Sequence, residues 1–162
     1  MKNRKVIYPG SFDPITYGHI DVVKRALHLF EEVIIGVAIN REKKPVFTAE
    51  ERVDFIQRAF PGNKRVQVCR FEGLAVDFAK RRGVSCIIRG LRATSDFEYE
   101  FQMALTNRKL APQLETVFLT PSQEHFYISS RVLKELAAFN GPLEGFAPPY
   151  VVKALKRKIF NP

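Results

Sequence analysis

The chain of 162 residues contains no tryptophan, two methionines and two cysteines. Cys69 and Cys86 each sit inside a strand-like run, without Cys-x-x-Cys spacing or a Cys/His cluster. No zinc site is expected, and both read as small hydrophobic residues. No apolar run is long enough to span a membrane. The opening Met-Lys-Asn-Arg-Lys leads into a short strand without the apolar stretch of a secretory signal, so cytoplasmic residence is the expectation. Gly-x-Gly-x-x-Gly is absent, which argues against a nicotinamide or flavin site. Gly-x-x-x-x-Gly-Lys-Ser/Thr is absent too, which argues against a P-loop. No serine–histidine–aspartate trio, cysteine–histidine pair or glycosidase-like carboxylate pair emerges. Group transfer to an already anionic nucleophile needs none of these; it needs positioning and charge stabilisation.

What is present is positive charge. Net charge is +9, with 46% hydrophobic and 27% charged residues, as in a soluble globular protein, and the length suits one domain over 1–162. Such a balance fits nucleic acid, an anionic membrane surface or a small polyanion. Lys153, Lys156, Arg157 and Lys158 cluster on the last predicted helix, where cations suit the dipole. Lys43, Lys44, Arg89 and Arg92 lie instead at strand ends and loops. Scattered cations converging on a cleft suit a phosphorylated small molecule better than a duplex, and neither a nucleic-acid nor a membrane partner is expected.

Periodicity predicts strands over 5–8, 33–39, 65–70, 84–88 and 116–119. Helices are expected over 18–30, from a Thr48/Glu51 capping box to 60, over 74–82, from a Ser95/Glu98 capping box to about 110, from Ser129/Ser130 to about 139, and from Pro148-Pro149 to about 159. Segments 89–92 and 123–128 read as loops. Five strands separated by helices imply an α/β, Rossmann-like doubly wound parallel sheet with helices on both faces and C-terminal helices. In such sheets ligands bind beyond the carboxyl ends of the strands, at the switch in strand order. The unusual sequence falls there, at 9–18, 40–44, 71–75, 89–92 and 120–130.

The stretch Tyr-Pro-Gly-Ser-Phe-Asp-Pro-Ile-Thr-Tyr-Gly-His at 8–19 joins the first strand to the first helix. A helix N-terminus offers free N–H groups to a phosphate. Gly10 and Gly18 permit close approach, and His19 adds a donor in the first helical turn. Arg89-Gly90-Leu91-Arg92 can hold phosphate oxygens bidentately. Ile128-Ser129-Ser130-Arg131 opens a helix and forms a second candidate anion or nucleotide site.

These residues resemble a known family. Gly-Ser-Phe-Asp-Pro with Thr-x-Gly-His is similar to the signature of the nucleotidyltransferase superfamily. Lys-Lys-Pro-Val-Phe-Thr-Ala-Glu-Glu-Arg at 43–52, Ile-Arg-Gly-Leu-Arg-Ala at 88–93, Asp-Phe-Glu-Tyr-Glu at 96–100, Asn107-Arg108 and Ile-Ser-Ser at 128–130 extend the likeness along the whole chain. It resembles the phosphopantetheine adenylyltransferases. That resemblance implies that ATP and 4′-phosphopantetheine give dephospho-coenzyme A and pyrophosphate by in-line attack, with Mg²⁺ bound with ATP and no metal held by the protein. It implies contacts to the acceptor from Ser11, Lys43, Ala75 and Arg89. Contacts to ATP would come from Ser11, Phe12, His19, Gly90, Leu91, Arg92, Glu100, His125, Phe126, Tyr127, Ile128, Ser129, Ser130 and Arg131. His19, Lys43 and Arg92 would stabilise the transition state. The family is also hexameric and inhibited by coenzyme A. Rivals are a relative acting on nicotinamide mononucleotide or, with CTP, on glycerol phosphate, a nucleic-acid-binding protein, and an inactive regulatory homologue.

Overall fold

The computed structural model describes residues 4–40, 44–92 and 94–160, giving the backbone alone for 94–96. β1 (Lys5–Gly10) lies at the centre of the sheet, so Val6, Ile7 and Tyr8 are buried whichever face they point to. β2 (Glu32–Ile39) and β3 (Val66–Glu72) flank it on one side, β4 (Cys86–Gly90) and β5 (Glu115–Leu119) on the other. All four pairings are parallel and the spatial order is β3-β2-β1-β4-β5. The order therefore reverses between β1 and β4, which is where a ligand crevice is expected.

Among the described residues six α-helices cover the two faces. α1 (Tyr17–Leu29), α2 (Ala49–Ala59), α5 (Ser130–Ala138) and α6 (Pro149–Phe160) bury Ile20, Val23, Ile56, Leu133 and Leu155 against Val6, Val33, Ile35 and Ile88. α3 (Ala75–Arg81), with Ala111 and Leu114 just after α4 (Thr94–Leu110), covers Ile7, Ile34 and Ile87 on the opposite face. Phe71 and Phe78 stack there with ring centroids 4.5 Å apart.

Local signals set most boundaries. Thr48 and Glu51 form the expected capping box of α2, and Ser129 caps α5 through the Val132 N–H. Asn140, with φ of 53°, ends the α5 segment. Two expectations are corrected. β4 begins at Cys86 and runs to Gly90, so Arg89 and Gly90 belong to the strand rather than to a loop. Both pair with β5, Arg89 opposite Phe118 and Gly90 opposite Leu119. α4 begins at Thr94, so Ser95 lies inside the helix and does not cap it. Within 123–128, residues Gln123–His125 form a 3₁₀ turn. The cysteines are free and partly buried, and burial pushes the Cys86 thiol up to about 11.

Candidate active site

The turn between β1 and α1 builds the floor of the site. Thr16 is the N-cap of α1, and its hydroxyl accepts from the backbone N–H of His19. His19 occupies the third helical position, where a capping box ordinarily carries glutamate. Here its ring serves, because Nδ1 accepts the Thr16 N–H at 3.1 Å. A nitrogen that accepts that bond carries no proton, so the neutral ring has its proton on Nε2. The Thr16 hydroxyl stands 3.0 Å from the same Nδ1. Burial, then the guanidinium groups of Arg92 and Arg89, hold the His19 imidazole down to about 3. His19 is thus a neutral donor at physiological pH.

Phe12 lies in the left-handed region at φ 49°, a conformation costing about 1–2 kcal/mol. Its ring is 3% exposed and meets Tyr8 and His19 edge-on, at 5.2 and 5.1 Å between centroids. A Cβ on Gly10 would come within 3.0 Å of that ring, so Gly10 makes room for it. Asp13 fixes the rest of the turn. Its carboxylate accepts from the N–H groups of Val46 and Phe47 and from Lys134 Nζ. Arg52, itself buried, donates to the carbonyls of Ser11 and Ala38 and so joins the ends of β1 and β2.

A cleft of about 430 Å³ opens at the β1/β4 switch point. It is lined by Ser11, Phe12, His19, Arg89, Gly90, Arg92, Glu100, Ile128, Ser129, Ser130 and Arg131, all predicted site residues. A second hollow of about 320 Å³ shares Pro9, Gly10, Ser11, Arg89, Tyr99 and Glu100 with the first and runs on past Ala75, Met103 and Asn107. Arg89 sits where the two meet. Its Nε and Nη2 grip both oxygens of Glu100 at 2.7 and 2.6 Å, and Nη1 donates to the Pro9 carbonyl at 2.6 Å. Glu100, 8% exposed, therefore faces Arg89 with both oxygens. Arg92 donates to the Ile128 carbonyl at 3.3 Å.

The opposite wall is the 121–131 segment. The N–H of Ser122 donates to Asp21, which ties it to α1. Gly18 packs beneath it, where a Cβ would meet the carbonyls of Ile128 at 3.2 Å and His125 at 3.4 Å. The Ser130 hydroxyl donates to the Pro14 carbonyl. Leu91, His125, Phe126 and Tyr127 do not line the cleft. His125 is turned to Ser122 and Tyr17, and Tyr127 to Phe146. Lys43 lies outside the described residues. Tyr8, Pro9, Val22, Tyr99 and Pro121 line the cleft without having been predicted. Tyr8 carries a readable signal, as a polar residue at the carboxyl end of a buried strand. Tyr99 stands inside a quoted motif.

The arrangement has the chemistry to take an anion. Two guanidinium groups, a neutral imidazole donor and the first residues of α1 and α5 converge on it. Among the described residues no cluster of three histidine, cysteine, aspartate or glutamate side chains could hold a metal ion.

This fold and cleft define a nucleotidyltransferase of the cytidylyltransferase-like family, whose model matches residues 7–136. The chain is 48% identical over 160 residues to the phosphopantetheine adenylyltransferase of Anaeromyxobacter dehalogenans (strain 2CP-C), covering 99% of this chain and 98% of that protein. It is also 48% identical to those of Geobacter sulfurreducens and Geobacter metallireducens, over 162 residues, all of this chain and 99% of each relative. The chain belongs to the phosphopantetheine adenylyltransferase family.

Proposed function

We propose that the protein transfers the adenylyl group of ATP to the phosphate of 4′-phosphopantetheine, giving dephospho-coenzyme A and pyrophosphate. The observation that carries this is the meeting of a cationic cleft and a second, partly apolar hollow at Arg89. ATP fits the first, with its phosphates toward His19 and Arg92. The second, walled by Ala38, Phe71 and Met103, suits the pantetheine arm, with Ala75 and Asn107 along it. The acceptor phosphate then attacks the α-phosphorus in line and pyrophosphate leaves. The Nε2–H of His19 stabilises the charge that develops on the α-phosphate oxygens, aided by Arg92 and by Lys43 on the 40–44 segment.

Both serine hydroxyls at the start of α5 serve the backbone, since Ser129 accepts from Val132 and Ser130 donates to Pro14. This supports direct transfer without a covalent intermediate. Glu100, a carboxylate lining the cleft, is gripped by Arg89, which supports entry of ATP as its magnesium complex, with the metal on the phosphates.

Finer features follow the same reading. α4 exposes Phe97, Tyr99, Phe101 and Leu105, an apolar surface that supports a homohexamer. Coenzyme A differs from the product by one phosphate, so the same cleft would take it as a feedback inhibitor. Residence in the cytoplasm is part of the same reading, and among the described residues no helix is long and apolar enough to cross a membrane.

The test is pyrophosphate release from MgATP with and without 4′-phosphopantetheine, with the product identified by mass. Formation of dephospho-coenzyme A is expected. Release with nicotinamide mononucleotide or glycerol phosphate instead would overturn the acceptor. Salt-sensitive nucleic-acid binding without any release would overturn the reaction.

A further inference from the structure

We propose that the Tyr8 hydroxyl is a nucleotide-binding group, donating a hydrogen bond to a phosphate oxygen of ATP beside His19. The proposal rests on the reaction assigned above and adds a residue to it. Tyr8 is 5% exposed, and its ring packs edge-on against Phe12 and 6.4 Å from the ring of His19. Nothing in that packing calls for a hydroxyl, since phenylalanine would fill the same space. No hydrogen bond from a described residue reaches the phenol oxygen. That oxygen is not among the buried polar atoms left without a partner; it opens into the cleft that Tyr8 lines, where a ligand can meet it.

The position of the oxygen says what that partner is. It stands at Gly90, 3.5 Å from where a Cβ on that residue would be, and both residues line the cleft. Arg89 and Arg92 act on its proton as they do on that of His19, and together outweigh the opposing carboxylate of Glu100, which Arg89 grips. A partner in that field is an anion. Burial outweighs the guanidinium groups and pushes the Tyr8 phenol up to about 12, so it stays protonated and donates. Two uncharged donors, Tyr8 and His19, thus stand between two fixed cations. That set suits phosphate oxygens better than a base or a ribose, whose recognition needs acceptors as well.

Tyr8→Phe tests this, because it removes one oxygen and keeps the ring. The expected result is a fall of about 10- to 100-fold in kcat/KM for ATP, the scale of one hydrogen bond to a charged group. The dissociation constant for MgATP by calorimetry should rise by a similar factor. Unfolding by urea should require about the same denaturant, since the hydroxyl removed opens into the cleft and the ring packing is kept. A fall in kcat/KM with unchanged binding would keep the contact and place it in the transition state. Unchanged kcat/KM and unchanged binding would overturn the proposal. A wild-type protein that binds MgATP but releases no pyrophosphate would overturn the reaction alone; the calorimetric comparison would then decide the role of Tyr8, with equal constants sinking it.

Discussion

Thr16 gives its backbone N–H to Nδ1 of His19 at 3.1 Å, and so fixes which edge of the imidazole can act on a ligand. A cap residue and a donor residue are one unit here. Thr16→Val keeps the N–H but loses the hydroxyl that accepts from the His19 backbone. It should cost about 1 kcal/mol of stability, read from the urea midpoint, and lower kcat about 3- to 10-fold. Thr16→Ser should restore both. His19→Ala removes the donor itself and should lower kcat about 10²–10³-fold. Unchanged turnover in His19→Ala would remove it from the mechanism.

The pH dependence follows from the same ring. His19 titrates near 6.5 when unfolded and near 3 when folded. The unfolded chain therefore binds the proton first as pH falls. The contribution to stability is whole above about 6.5 and is lost progressively as pH drops toward 3. Urea titrations of the wild type between pH 6.5 and 4 should show stability declining more steeply than in His19→Asn, by up to about 1.4 kcal/mol per pH unit. In turnover, no acid limb near 6.5 should belong to His19. A limb there that vanishes in His19→Asn would contradict a neutral, pre-set donor.

How far the sequence reaches is clearest at two strands. The order of strands and helices is legible because the Val/Ile runs of β1 and β2 lack competing helical periodicity. The two N-caps at Thr48 and Ser129 are legible because capping is local. β4 is less so. Val84 suggests an earlier start in the sequence, yet pairing with β5 starts at Cys86 and carries Arg89 and Gly90 into the strand. A charged residue at a strand end reads as loop when the partner strand is unknown. The cleft residues at 11–19, 89–92 and 128–131 were found as motifs. Tyr8 opens the first motif and ends a buried strand, but the sequence does not tell whether its hydroxyl reaches the cleft. Nor does it tell that Glu100 holds Arg89, eleven positions away and on another element.

The Arg89–Glu100 pair should behave as one element. Both groups are largely withdrawn from water, so removing one leaves the other charged and unpartnered. Glu100→Ala should cost about 2–3 kcal/mol, below the fully buried range because Arg89 keeps some solvent contact. The double variant Arg89→Met, Glu100→Leu should cost less than the sum of its single variants. Activity should fall in every one of these variants, since Arg89, held by Glu100, also holds the Pro9 carbonyl between the two hollows. Additive losses of stability would mean that the two side chains act separately.

Gly18→Ala separates stability from function. Alanine in the first turn of α1 gains up to about 1 kcal/mol of helix propensity. Against that, its Cβ would stand 3.2 Å from the Ile128 carbonyl and 3.4 Å from that of His125. Both atoms are backbone, so the 121–131 segment must shift by a few tenths of an ångström rather than one side chain rotating. The two effects nearly cancel in stability, and the melting temperature should move little. They do not cancel in the cleft. Ile128, Ser129 and Ser130 line it, and the Ile128 carbonyl holds Arg92. Displacing that wall should raise KM for ATP about 3- to 10-fold and lower kcat through Arg92, since small misplacements of positioning groups are costly. A variant with wild-type KM and kcat would mean that the wall yields without moving Arg92, and that Gly18 serves helix packing alone.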